Sequence, residues 1–402
     1  MARREGRREG SVNGLLVYAG GTAYDGVRGT DQQVTDRLSE LTDVLYVDPP
    51  RSMLRRAPGD RWGAGLTPVR DGLWRLTPVA PPGGYRPGAD RVTAALARRA
   101  VRRAARRLGR QVTSVIASGS LDVLGAVPGA RTLRYVTDDL TAGASLIGMA
   151  PGQLARTESR MVRRADRLAV VSPDLVERAR SMGREATLVP NGCDSGAYLG
   201  VDTAPWPEDL PAELADAPVA GFVGHINGRI DIALLEAVAD AGHPLVLVGP
   251  RAPRYEPERF PALVSRPGVH WVGAKPYDAL PSYLRVIDTG LTPYTDSAFN
   301  RASFPLKTLE YLAAGRGVVS TDLPATRWLD AGDLVRTVAA GEGPRAFAEA
   351  VRTELATART TTLVGRRRAL ATLHDWSERV RMIADLLDID MASQTSKEVA
   401  GR

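Results

Sequence analysis

Two side chains of complementary chemistry stand three residues apart within 303–320, where the chain reads S-F-P-L-K-T-L-E-Y-L-A-A-G-R-G-V-V-S. Pro305 suits the first turn of a helix, where a missing N–H costs nothing, and Ser303 is placed to cap it. Leu306, Leu309, Leu312 and Ala313 recur at the helical period. Gly315 and Gly317 stop the helix, and Val318-Val319 opens a buried strand. The spacing predicts a helix of about eleven residues, ~16 Å long, with Lys307 and Glu310 on one face near its start. A helix start attracts phosphate through free N–H groups and the macrodipole. Lys307 adds a point charge suited to a diphosphate, and Glu310 can accept hydrogen bonds from a diol such as ribose. Pro305, Leu306, Lys307 and Glu310 together read as a nucleotide-sugar grip. A surface i,i+3 ion pair worth a few tenths of a kcal/mol has the same spacing. Composition favours the grip: only Lys275, Lys307 and Lys397 are lysines among 53 basic residues.

Further stretches carry related chemistry. A strand over 218–224 runs into Gly224-His225-Ile226-Asn227-Gly228-Arg229. Glycine there lets a ligand approach the backbone, and Arg229 offers a planar fork to phosphate oxygens. A strand over 245–248 ends at Gly249-Pro250, and one over 269–272 ends at Gly273. Trp271 and Tyr277, near these turns, can stack on a base or pack in the core. In the first half, Gly20-Gly21 follows the opening strand. Thr137-Asp138-Asp139 follows a strand over 132–136, at the carboxyl end where α/β ligand sites form. Adjacent carboxylates there can orient an acceptor hydroxyl or a donor sugar, or cap a helix. Asp138, Arg229 and Lys307 are the catalytic candidates. Gly224, His225, Gly249 and Tyr277 join the grip on the donor side; Gly20, Gly21 and Asp139 join Asp138 on the acceptor side.

The run P-L-K-x-x-E-Y-L-A-A-G-x-x-V-V over 305–319 resembles the donor-site signature of GT-B glycosyltransferases, in particular the family 4 (group 1) type. Within these it is most similar to bacterial cell-surface polysaccharide enzymes of the teichuronic acid biosynthesis kind. V-P-N-G-C-D at 189–194 resembles the turn that ends the first domain in that family. The resemblance implies an α/β GT-B fold: two Rossmann-like, doubly wound parallel-sheet domains facing a cleft. It implies retaining transfer from a nucleotide-diphosphate sugar, of the UDP or GDP type, to a hydroxyl of a glycan or lipid-linked acceptor. No metal and no other cofactor are implied. The basic donor-phosphate ligand of the family is matched by Arg229, and a lysine-type partner is not evident. Ala302 stands where the family carries a glutamate eight residues before Glu310, and Asn300 or Arg301 is the nearest substitute. A histidine usual near Asp138 is absent, which makes Asp138 a substitute candidate. Two alternatives keep the same fold. A nucleotide-sugar epimerase would form isomers without an acceptor, and a non-catalytic partner protein would bind nucleotide without releasing free nucleoside diphosphate.

The elements that must position these groups follow from length and pattern. A chain of 402 residues with 44% apolar content suits two domains. The expected division is a basic tail at 1–10, an acceptor-side domain at 11–195, a proline- and acid-rich linker at 196–217 and a donor domain at 218–375. A helix at 376–390 is expected to cross back to the first domain, ahead of a polar tail at 391–402. Residues 48–90 read as loops apart from a strand over 73–79. A net charge of +7 suits phosphate-rich ligands or an anionic membrane, and no recognition-helix, RNA-binding or zinc-finger pattern supports nucleic-acid binding. Arg98, Arg99, Arg102, Arg103, Arg106, Arg107 and Arg110 crowd a helix over 91–108 and its end, with Val92, Ala95, Leu96, Val101 and Leu108 expected inward. Such a face is either solvated or docked on anionic lipid, at ~1 kcal/mol per basic residue. Cys193 is the sole cysteine, and the four histidines lack metal-ligand spacing. No run approaches the ~20 apolar residues of a membrane span, and the apolar run at 15–19 is too short for a signal peptide. The expectation is a cytoplasmic protein, at most peripheral on the inner face of the plasma membrane.

Overall fold

The computed structural model describes residues 14–26, 28–54, 65–144 and 149–390; the expected tails at 1–10 and 391–402 lie outside the described residues. The first lobe is organised on an eight-stranded sheet. In spatial order its strands are Thr187–Leu188, Arg167–Val170, Arg131–Val136, Gln111–Ala117, Gly14–Ala19, Asp43–Val47, Leu73–Thr77 and Gly65–Arg70. Each neighbour pair is parallel except the last, which is antiparallel. The second lobe carries a six-stranded, wholly parallel sheet in the order Val269–Trp271, Leu245–Val248, Ala220–Val223, Thr289–Thr292, Gly317–Thr321 and Arg336–Val338. Strands buried on both faces read as continuous apolar runs such as L-V-L-V, as parallel sheets require.

Strand order reverses once in each sheet. In the first lobe the chain winds outward from Gly14–Ala19 and returns on its other side at Gln111–Ala117. In the second it winds outward from Ala220–Val223 and returns at Thr289–Thr292. The loops leaving these four strands border the crevices where doubly wound sheets bind ligands. They hold Gly20-Gly21, Ser118, Gly224 to Arg229, and the segment that ends at the helix Leu306–Ala313.

One apolar cluster runs through both lobes, from Leu16 and Tyr18 past Val189, Cys193, Tyr198 and Trp376 to Leu309, Tyr311 and Leu312. The last helix, Trp376–Leu386, packs against Thr30–Leu41 of the first lobe. The stretch expected to be a linker, 196–217, carries three 3-10 turns and buries Tyr198, Val201, Leu210 and Leu214. Its Asp202 holds Arg316, Arg359 and Arg368 of the second lobe, so it is a strap on that lobe.

Other expectations are corrected. The strand Gly65–Arg70 lies inside the stretch read as loop; it is almost wholly exposed, so it shows no apolar alternation, and Pro68 is tolerated because the strand is an edge. The arginine-rich helix, Ala89–Leu108, turns a different face inward. Thr93, Ala94, Ala97, Val101, Ala104 and Ala105 are buried, whereas Val92 is 52% and Leu96 37% exposed. Alanines fit closer to the sheet than the larger side chains whose spacing suggested the opposite phase. The donor-side helix spans eight residues, with Pro305 at its N-cap position and no side-chain cap. Ser303 does not cap it, because its hydroxyl serves Asp138 and the Phe299 carbonyl instead.

Candidate active site

The helix Leu306–Ala313 is seated by its own sequence. Leu309, Leu312 and Ala313 are buried. The Tyr311 ring covers Gly290, where a Cβ would lie 2.2 Å from the ring. The Val223 amide donates to the Tyr311 hydroxyl at 2.8 Å, which ties the helix to the strand that precedes Gly224. At the other end the Arg316 amide reaches the Tyr311 carbonyl at 2.8 Å and Gly315 adopts φ 75°, a glycine-terminated helix end. The first amides of the helix have no intrahelical acceptor. Beside them Lys307 Nζ donates to Glu310 Oε2 at 2.6 Å, with the side chains 21% and 10% exposed. The pair is therefore in the wall of the structure rather than on open surface. Glu310 faces the phenols of Tyr198 and Tyr277; burial, and then this carboxylate, pushes Tyr277 up to about 12. The Tyr277 hydroxyl accepts from Gln33 of the first lobe at 3.3 Å and from Tyr198 at 3.5 Å, so Tyr277 lies where the lobes meet.

Arg229 is held as a preset cation. Its Nε donates to Asn300 Oδ1 at 2.9 Å, and its guanidinium lies 5.1 Å from the Tyr294 ring and 4.9 Å from the Phe299 ring. Asn300 is 1% exposed and returns its amide N–H groups to the Arg229 carbonyl, the Thr295 carbonyl and Thr295 Oγ1. The two terminal nitrogens of Arg229 have no hydrogen-bond partner among the described residues, leaving them free for an anion. Arg301, the other residue considered as a substitute for glutamate, pairs with Asp296 on the surface and stands apart.

Across the lobe boundary, Asp138 Oδ1 accepts from Ser303 at 3.1 Å. Asp138 is half-buried. That burial raises its pKa, and Arg229 and Ser303 oppose the rise. Two residues not singled out from the sequence grip the same segment: Ser172 Oγ donates to the Ala302 carbonyl at 2.5 Å, and Asn191 Nδ2 to the Phe304 carbonyl at 2.9 Å. Asn191 lies in the V-P-N-G turn, whose resemblance was the one signal for it. Ser172 had none beyond its place after a strand. Ala302 itself is buried.

Not every candidate joins this group. Asp139 forms an ion pair with Arg178 and accepts from the Thr141 and Ala142 amides at 3.0 Å each, so it shapes its loop rather than facing a ligand. The Gly20-Gly21 loop is anchored instead of open. The Gly21 amide donates to Asp31 Oδ2 at 2.7 Å, and a Cβ on Gly20 would lie 1.9 Å from the Tyr46 hydroxyl. Gly224 and Gly249 stand back to back at adjacent strand ends, with φ 157° and 139°; a Cβ on Gly249 would fall 1.8 Å from the Gly224 oxygen. Beside them Trp271 Nε1 donates to the Gly249 carbonyl at 2.9 Å. His225 is exposed and lines an open cavity whose walls include neither Lys307 nor Arg229. Among the described residues no group of three or more His, Cys, Asp or Glu is placed to hold a metal ion.

Residues 217–357 match the family model described as glycosyl transferases group 1. Over 232 residues the chain is 32% identical to the teichuronic acid biosynthesis glycosyltransferase TuaH of Bacillus subtilis (strain 168), covering 56% of this chain and 57% of that relative. Little more than half of that relative's length is thus matched. Among solved structures, sucrose-phosphate synthase from Thermosynechococcus elongatus has a TM-score of 0.72 at 18% identity, over 92% of this chain and 98% of that one. Anabaena HepE in complex with UDP-glucose has a TM-score of 0.63 at 15% identity, over 93% and 99%. These likenesses cover both lobes and show the GT-B fold. The signature read at 305–319 lies inside the matched family segment, and the resemblance it carried is borne out.

Proposed function

We propose that this chain, GT-B in fold and matched over its second lobe by the group 1 glycosyl transferases, moves a sugar from a nucleotide-diphosphate donor to a hydroxyl acceptor. The observation that carries the reading is the meeting of three groups at one segment. Arg229 has its terminal nitrogens unspent, Lys307 and Glu310 stand at the start of Leu306–Ala313, and Asp138 approaches from the facing lobe.

In glycosyl transfer, negative charge grows on the departing diphosphate as the sugar carbon gains cationic character. Arg229, Lys307 and the helix start offer fixed positive potential there, worth about 3 kcal/mol per well-placed donor. Lys307 leaves Glu310 for the diphosphate, which frees the carboxylate for the ribose hydroxyls. Asp138 accepts a hydrogen bond from the acceptor hydroxyl or steadies the donor sugar. We read the transfer as retaining and as needing no metal, with UDP or GDP as the nucleotide. UDP comes first, since the fold neighbour HepE is described in complex with UDP-glucose. The acceptor is a glycan or lipid-linked sugar of a cell-surface polysaccharide or glycolipid. No described helix is long and apolar enough to cross a membrane. Arg99, Arg103, Arg106 and Arg107, beside exposed Val92 and Leu96, suit docking on an anionic inner membrane face.

The test is a panel of UDP- and GDP-sugars with release of nucleoside diphosphate as readout. Lys307→Ala and Glu310→Ala should each lower kcat/KM about 100-fold, a loss of about 3 kcal/mol in transition-state stabilisation, with unaltered melting. Unchanged kinetics in both variants would remove the assignment.

A further inference from the structure

A cavity of about 540 Å³ opens on the first lobe between Ser52, the segment 80–87 and the start of the helix Pro151–Arg164. Its walls follow the strands Asp43–Val47, Leu73–Thr77 and Arg131–Val136 at their carboxyl ends, the same edge of the sheet that carries Gly20 and Asp138. We propose that this cavity is an acceptor subsite for a sugar bearing a phosphate group, an inference that rests on the glycosyl-transfer reading.

Three polar side chains lining it are unspent. Gln153 is 5% exposed, and its side-chain amide has no hydrogen-bond partner among the described residues. The amide is therefore open to a group in the cavity, as donor and as acceptor. The Tyr85 hydroxyl likewise has no partner, and burial alone pushes it up to about 12. Arg86 is exposed and has no acidic partner among the described residues. The helix beginning at Pro151 has Ala150 before it and no side-chain cap; Pro151 has no N–H and the Gln153 and Leu154 amides donate to the Ala150 carbonyl at 3.1 and 3.2 Å, so the Gly152 amide is the one left open to an anion. Among the described residues no carboxylate lines the cavity. An amide and a phenol suit sugar hydroxyls, a guanidinium and a helix start suit phosphate, and Pro50, Ala80 and Pro81 supply apolar carbon for the sugar's C–H face. The neighbouring groove along the arginine-rich helix is lined by Val79, the residue next to Ala80.

The experiment titrates the full chain with glucose 1-phosphate, methyl α-glucopyranoside and UDP by calorimetry. Glucose 1-phosphate is expected to bind at least tenfold more tightly than the neutral glucoside. Arg86→Ala and Gln153→Leu should each weaken it about tenfold and leave UDP titration unchanged; Arg86 is exposed, so its loss does not endanger folding. A second arm presents prenyl-linked phosphoglucose in detergent micelles. Tighter capture of that form assigns a lipid-linked source, and tighter capture of the free form a soluble one; either supports the site. Equal affinity of both variants for glucose 1-phosphate, or no preference of the wild type for phosphate, overturns it. The donor reading is judged separately, since Lys307→Ala should weaken UDP alone. If UDP does not bind while glucose 1-phosphate responds to Gln153, the donor reading falls and the cavity remains a phosphosugar site.

Discussion

Asp138 is the residue whose chemistry depends most on its surroundings. Burial raises its pKa, and Arg229 and Ser303 only partly offset that rise. The charged form that accepts a proton or hydrogen bond is therefore present above the raised value and lost as pH falls through it. The acid limb of the pH–rate profile should begin at higher pH than for an ordinary aspartate. Asp138→Asn should lower kcat and flatten that limb, as initial rates from pH 4.5 to 8 would report; a variant profile identical to the wild type removes Asp138 from the chemistry. Lys307, Glu310 and Arg229 were legible in the sequence because their types and spacing within one helix or loop are local. Asn300 was only half legible, and Ser172 and Asn191 not by chemistry at all. Their partners stand 71, 130 and 113 residues away along the chain, and no local pattern encodes such pairs.

At the scale of elements, the seating of Leu306–Ala313 rests on one phenol. Tyr311→Phe keeps the ring over Gly290 but leaves the buried Val223 N–H without a partner, a loss of about 1–3 kcal/mol. Chemical denaturation should show it as a lower midpoint at unchanged slope, and an unaltered midpoint would mean the bond contributes nothing. The arginine-rich helix makes a separate prediction. Arg103→Glu with Arg106→Glu should abolish partition onto vesicles containing anionic phospholipid and leave neutral vesicles unaffected; equal partition of wild type onto both rules out electrostatic docking. Its existence was legible from a run of strong helix formers. Its inward face was not, because alanines and larger residues offered two competing apolar stripes, and packing distance to the sheet chose the alanines.

Across the whole molecule, two chain segments join the lobes side by side. The Cys193 amide donates to the His374 carbonyl at 3.0 Å, and the Trp376 amide to the Cys193 carbonyl at 3.0 Å. Asp375 accepts from Ser195 Oγ at 2.8 Å and from the Ser377 amide at 2.9 Å. Burial, and then Arg379, lowers His374 to about 4, and Arg379 donates to its Nδ1 at 2.5 Å. The unfolded chain binds a proton at its ordinary value near 6.5 while the folded chain does not. Stability from this group is thus complete above about pH 6.5 and declines toward pH 4. The full shift corresponds to at most about 3 kcal/mol, reduced by solvent screening because the ring is half-buried. Melting temperatures measured across that window should fall for the wild type and fall less for His374→Gln; parallel curves would contradict the assignment. The doubly wound sheets were legible from alternating apolar runs and glycine turns. The strap at 196–217 was not, because its order comes from Asp202 and buried side chains packed on distant helices.

Calorimetric titration of UDP and GDP into the wild type, Arg229→Ala and Lys307→Ala addresses the donor pocket most directly. The account predicts that at least one nucleoside diphosphate binds the wild type and binds each variant at least tenfold more weakly, while circular dichroism shows all three folded. Equal affinity in the three proteins, or no binding of either nucleotide to the wild type, would contradict it.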